Sequence, residues 1–212
     1  MKYLTNFMYV WVAICLSLPL QAIAKADSSW DGFVKQYGRY AEKKLNSKGI
    51  PGAALSIVSI GNADYIHTMG RTKARSGTQV NRHTRFRLAS VSKTFAGSLT
   101  AKLASEGLID LFKPVSEYIP AFKGTVYKDN LKVFHLLSHS SGLVPNAYDN
   151  LIESRMNYPD IVEKLLTVKP ICEPGQCYGY QNVMFSLIDD VIYSSTNKKY
   201  DQWLQEGIFT PL

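Results

Sequence analysis

Cysteine is scarce in this chain of 212 residues, and the three present exclude several readings at once. Cys15 stands in an apolar run over residues 7–20 and follows Ile14, where a lipid-attachment signal needs a small residue, so lipidation there is not expected. The run covers 14 residues and is broken by Pro19, too short for the ~20 residues that cross a bilayer. Cys172 and Cys177 have no histidine or second cysteine pair beside them at ligand spacing, which argues against a metal site. A Gly-x-Ser-x-Gly elbow is absent, so a Ser-His-Asp hydrolase has no support. Internal repeats and low-complexity linkers are absent too, and nothing divides the chain into several domains.

What is present begins with an export signal. Lys2, the apolar run and then Ala22-Ile23-Ala24 have the form that signal peptidase accepts, with cleavage expected after Ala24. The remaining 188 residues (212 minus 24) suffice for one domain with a real core, residues 25–212. The expected location is periplasmic or secreted, with no stable membrane anchor. In an oxidising compartment Cys172 and Cys177 are an even pair, and the Pro-Gly turn in Cys-Glu-Pro-Gly-Gln-Cys lets them close a short disulfide loop. The formal charge of +7 becomes +6 once Lys2 is removed. Arg71, Lys73, Arg75, Arg82, Arg85 and Arg87 fall in a stretch without acids. That stretch is either a solvated loop or an attractor for an anionic substrate or wall surface; export disfavours nucleic acid.

Ser28 or Ser29 can cap a first helix in which Trp30, Phe33, Val34, Tyr37, Ala41 and Leu45 recur at helical spacing until Gly49. Residues 52–60 and 63–69 predict a hairpin around Gly61-Asn62. From Ser90 onward the pattern turns helical, with stripes beginning at Val91, a short one over 131–139, one opened by Pro159, and two more over 183–192 and 200–209. The class expected is α+β. A single hairpin does not sustain a sheet, since three or more strands are usual. Strands are therefore expected either within residues 70–130, where none was legible, or beyond Leu212.

Ser90-Val91-Ser92-Lys93 has the Ser-x-x-Lys form of serine enzymes whose base is a lysine. Positions three apart share a helix face, so the Lys93 amine can reach the Ser90 hydroxyl. Ser195 to Lys198 satisfies the same form but lies in a polar run at the end of a helix. Ser90 instead opens an apolar-striped helix, where free backbone N–H groups can stabilise the anion formed when a carbonyl is attacked. An ordinary N-cap serine would sit there equally well. A cap, however, prefers Glu or Gln three residues on, whereas Lys93 sets a cation against the helix dipole. A general base needs the neutral amine, and that placement favours it.

The segment Phe86-Arg87-Leu88-Ala89-Ser90-Val91-Ser92-Lys93-Thr94-Phe95 resembles the nucleophile segment of the superfamily of class C β-lactamases, DD-carboxypeptidases and esterases. Leu136-Leu137-Ser138-His139-Ser140-Ser141-Gly142-Leu143 resembles a second hallmark, in which the histidine belongs to a structural turn. The resemblance implies a third element, Tyr-x-Asn, whose phenol shuttles protons and whose amide holds substrate and lysine. Tyr180-Gln181-Asn182 fits, after Pro174-Gly175 and at a helix start; Tyr148-Asp149-Asn150 has the form but lies in a polar loop. The implied catalytic set is Ser90, Lys93, Tyr180 and Asn182. The implied activity is acyl transfer from a β-lactam, a D-Ala-D-Ala peptide or an ester, on a small-molecule or peptidoglycan-peptide substrate. A monomer without cofactor is expected.

The match breaks after Asn182, where no Lys-Thr-Gly-like triplet follows. In the superfamily that triplet lies on a strand that supplies the second oxyanion donor, and the strands of the C-terminal part complete the sheet begun by the hairpin. The expectation is a fragment of a longer hydrolase with low or no activity, or a non-catalytic wall- or peptide-binding module.

Overall fold

The structure is a computed structural model that describes residues 29–212. The expected signal over 1–24 and the alternative cap Ser28 lie outside the described residues. These residues fall into two compact units, one ending at Phe86 and the other spanning Arg87–Leu212.

In the first unit, helix α1 (Trp30–Ser47) is capped by Ser29, whose hydroxyl accepts from the Gly32 N–H at 3.1 Å. Such a cap satisfies one of the free donors at a helix start. The helix buries Val34 and Gly38, and Gly38 is the point of close approach to the Tyr65 side chain. Strands β1 (Gly52–Ile57) and β2 (Tyr65–Lys73) pair antiparallel in the expected hairpin, with Ala54 opposite Thr68. A third strand, β3 (Ser76–Gln79), pairs with β2 in the order β1-β2-β3. Thus one strand lay within residues 70–130, as one of the two alternatives held. It escaped the sequence reading because all four of its residues are exposed and polar or Gly, so no apolar alternation marks it. All six cations between Arg71 and Arg87 are exposed.

The second unit is helical. A 3-10 turn (Ala89–Val91) leads into α2 (Ser92–Ser105), which buries Leu99 and Leu103 completely and stops at Gly107, where φ is +75°. Short helices α3 (Val115–Tyr118), α4 (Val133–Leu137) and α5 (Asp149–Glu153) follow, then α6 (Tyr158–Leu166), α7 (Asn182–Thr196) and α8 (Tyr200–Leu204). Helix α5 replaces part of what was read as a polar loop; at five residues it is too short for periodicity to reveal.

Helix α7 is the spine of this unit, with Val183, Met184, Leu187, Ile188, Val191 and Ile192 buried against Leu99, Leu103, Phe122, Leu136 and Leu165. Its burial fixes Asn182 at the end of a rigid element. Among the described residues no helix is long and apolar enough to cross a membrane.

Candidate active site

Four segments of the second unit converge on one place. Ala89, directly before Ser90, has φ +47°, a left-handed conformation that an alanine adopts only at a cost of about 1–2 kcal/mol. Strain of this kind persists where surrounding structure over-determines it. The turn is followed at once by α2, so Ser90 is exposed and Lys93, one turn on, is half-buried.

Residues 138–143 form a tight turn with His139 at φ +55° and Gly142 at φ +84°. The carbonyls of His139, Ser140 and Gly142 each accept a 2.8 Å bond, from the N–H groups of Gly179, Gly175 and Ile171 respectively. The turn therefore holds the segment leading to Tyr180 along its whole length. Within that segment Cys172 and Cys177 form the expected disulfide. The Gln181 N–H donates to His139 Nδ1 at 3.2 Å, so this nitrogen is the acceptor and its proton is on the other side of the ring.

The side chains then meet in pairs. Ser90 Oγ and Tyr180 OH are 2.7 Å apart. Lys93 Nζ donates to Asn182 Oδ1 at 2.7 Å and lies 5.0 Å from the centroid of the Tyr180 ring. Asn182 Nδ2 in turn donates to Asp149 Oδ2 at 2.8 Å. All four sequence-predicted residues come together, but the hydroxyl of Ser90 faces the Tyr180 phenol, and the amine of Lys93 faces Asn182.

The Tyr180 phenol is held below its ordinary value near 10, first by its hydrogen bond with Lys93 and next by that with Ser90; desolvation and the Asp149 charge push weakly the other way. His139 is pushed down, chiefly by burial and then by Lys93. Its ring lies 4.3 Å from that of Tyr180, centroid to centroid. The His139 ring thus packs on the phenol ring with its Nδ1 already engaged by the Gln181 N–H.

The competing motifs resolve. Ser195 donates to the Val191 carbonyl within its own helix, and Lys198 pairs with Glu206 over the Trp203 ring. The Tyr148-Asp149-Asn150 triplet brings only its middle residue to the site. Asp149 is an additional residue at this place, and its one mark in the sequence is its position inside the second Tyr-x-Asn triplet. Among the described residues no group of three His, Cys, Asp or Glu side chains could hold a metal ion.

The sequence model of the Beta-lactamase family matches residues 31–212. A β-lactamase of Yersinia enterocolitica is 28% identical over 168 residues, covering 79% of this chain. A solved class C β-lactamase superposes with a TM-score of 0.76 at 22% identity over 87% of this chain. A D-stereospecific amidohydrolase from Streptomyces superposes with a TM-score of 0.67 at 25% identity over 83% of it. This chain spans 42% of the Yersinia protein's length, and 50% and 54% of the two solved chains.

Proposed function

The chain belongs to the β-lactamase family, and from that premise we propose that it carries out acyl transfer through an acyl-enzyme on Ser90. The observation that carries the reading is the 2.7 Å contact between Ser90 Oγ and Tyr180 OH, beside Lys93. A phenol with a lowered pKa next to a lysine shares one proton with it: Tyr-OH with a neutral amine and phenolate with ammonium are two forms of one state. As Ser90 Oγ bonds to the carbonyl carbon, its proton passes to the Tyr180 oxygen. Any proton already there moves on to Lys93. The C–N or C–O bond then breaks, and the leaving group takes the proton back along the same path. Water repeats the sequence to release the acyl group. Asn182 Oδ1 keeps the amine in place throughout.

The substrate class is a β-lactam, a D-Ala-D-Ala-type peptide or an ester. The Streptomyces relative, named for D-stereospecific amide hydrolysis, favours the amide end of that range. The Cys172–Cys177 bond supports a periplasmic or secreted setting, because disulfides persist in oxidising compartments.

The test is intact-protein mass spectrometry after incubating the whole chain with a fluorescent penicillin and, in parallel, an activated phosphonate ester. A single adduct on Ser90 that vanishes in Ser90→Ala is expected. No adduct with either probe, or one that survives in Ser90→Ala, overturns the proposal, and the former outcome favours a binding module.

A further inference from the structure

We propose that Asp149 is a positioning residue for this site: its carboxylate decides which way the Asn182 amide faces, and thereby holds the Lys93 amine beside Tyr180. The inference rests on the acyl-transfer reading above for its catalytic meaning, but not for its geometry.

An asparagine amide has two ends of nearly equal size and opposite hydrogen-bonding character. Nothing in its own shape chooses between them; the neighbours do. An ammonium only donates, so Lys93 needs Oδ1. A carboxylate only accepts, so Asp149 needs Nδ2. Asn182 stands between them with Oδ1 at 2.7 Å from Lys93 and Nδ2 at 2.8 Å from Asp149. Remove the carboxylate and the amide can turn its NH2 end toward Lys93, which takes away the acceptor that holds the amine at 2.7 Å and repels its ammonium form.

Asp149 is brought there by a loop stapled to the Tyr180-Gln181-Asn182 segment at several points. The Asn146 N–H donates to the Tyr180 carbonyl at 2.8 Å. Gln181, with no exposed surface, donates through Nε2 to the carbonyls of Val144 at 3.1 Å and Ala147 at 3.4 Å. The middle residue of the motif is thus a clamp on the loop that carries Asp149.

The arrangement is costly. Asn146 and Tyr148 adopt left-handed conformations at φ +57° and +65°. Asp149 Oδ1 is buried without a hydrogen-bond partner among the described residues. A half-satisfied buried carboxylate on a strained loop is a poor way to gain stability, and such groups call for another explanation. Holding one amide in one orientation supplies it.

The experiment uses the whole chain with Asp149→Ala and with Asp149→Asn, which keeps an oxygen facing Asn182 Nδ2. Two quantities are measured: the rate of Ser90 labelling by fluorescent penicillin at saturating and subsaturating probe, and the solvent exchange of the Asn182 side-chain NH2 by 15N NMR, assigned against Asn182→Asp. Asp149→Ala is expected to slow labelling at saturation about tenfold to hundredfold, the scale of one charge-assisted hydrogen bond, with the half-saturating concentration unchanged. It is also expected to speed exchange of the Asn182 amide, and Asp149→Asn to recover most of both. Wild-type exchange in Asp149→Ala, or equal slowing of labelling in both variants, overturns the inference. If the wild-type chain takes no label, the acyl-transfer reading fails, while amide exchange still decides whether Asp149 holds Asn182.

Discussion

The Ser90 hydroxyl and the Tyr180 phenol stand 2.7 Å apart although ninety residues of chain separate them. The nucleophile's hydrogen bond is thus with a residue of α7's approach segment and not with the lysine one turn further along its own helix. In the proposed mechanism Lys93 therefore works on Ser90 by way of the phenol that lies between them in contact, and the tyrosine matters as much as the Ser-x-x-Lys spacing.

Replacing Tyr180 with Phe is expected to slow Ser90 labelling by about 100-fold or more, the range of a lost general base. The lowered phenol pKa sets the pH dependence. The active form is the one with a proton removed, so the rate rises with pH and levels off once pH passes the folded pKa, which lies below 10. It falls as pH drops beneath that point. Labelling rates from about pH 6 to pH 10 should show this rise in the wild type and a flat profile in Tyr180→Phe.

Gly142 lies in the turn that receives the 171–179 segment, at φ +84°, and a Cβ there would run into the Cys172 carbonyl oxygen. Gly142→Ala is therefore strained in both backbone and packing, and should cost about 2 kcal/mol or more. Urea unfolding would show it as a lower midpoint at unchanged slope; a midpoint equal to wild type would contradict the geometry.

The Cys172–Cys177 bond closes a loop of sequence separation 5. By loop entropy such a short closure contributes about 2 kcal/mol. Reductant should lower the urea midpoint of the wild type correspondingly and leave a double Cys→Ser variant untouched. Ser90 labelling should also slow on reduction, because this loop leads directly into Tyr180.

His135 and His139 both have folded pKa values pushed below their ordinary range, chiefly by burial. The unfolded chain therefore takes up protons at a pH where the folded one does not. Stability is full above the unfolded value near 6.5 and falls as pH drops through that value toward the folded ones. Denaturation midpoints measured from about pH 8 down to pH 5 should decline on the acid side. His135→Asn should remove part of the slope, since His135 is 6% exposed and its Nδ1 accepts from the Lys132 N–H.

Much of this molecule is legible in local sequence. Helical stripes around Leu99, Leu165 and Ile188 mark α2, α6 and α7 because burial repeats every third or fourth residue, a periodicity the chain carries with it. The hairpin over β1 and β2 follows from apolar runs flanking Gly61-Asn62. The disulfide follows from two cysteines around a Pro-Gly turn. Strand β3 and helix α5 leave no such trace, being short and polar.

Tertiary structure alone decided how these parts act on one another. Local spacing allowed two Tyr-x-Asn triplets and two Ser-x-x-Lys pairs, and only the docking of residues 171–182 on the 138–143 turn selected Tyr180 and brought it to Ser90. It also turned the rejected triplet's Asp149 into a partner of Asn182. A hydrogen bond between residues 33 or 90 positions apart depends on where a whole loop comes to rest, and no periodicity in the sequence encodes that distance.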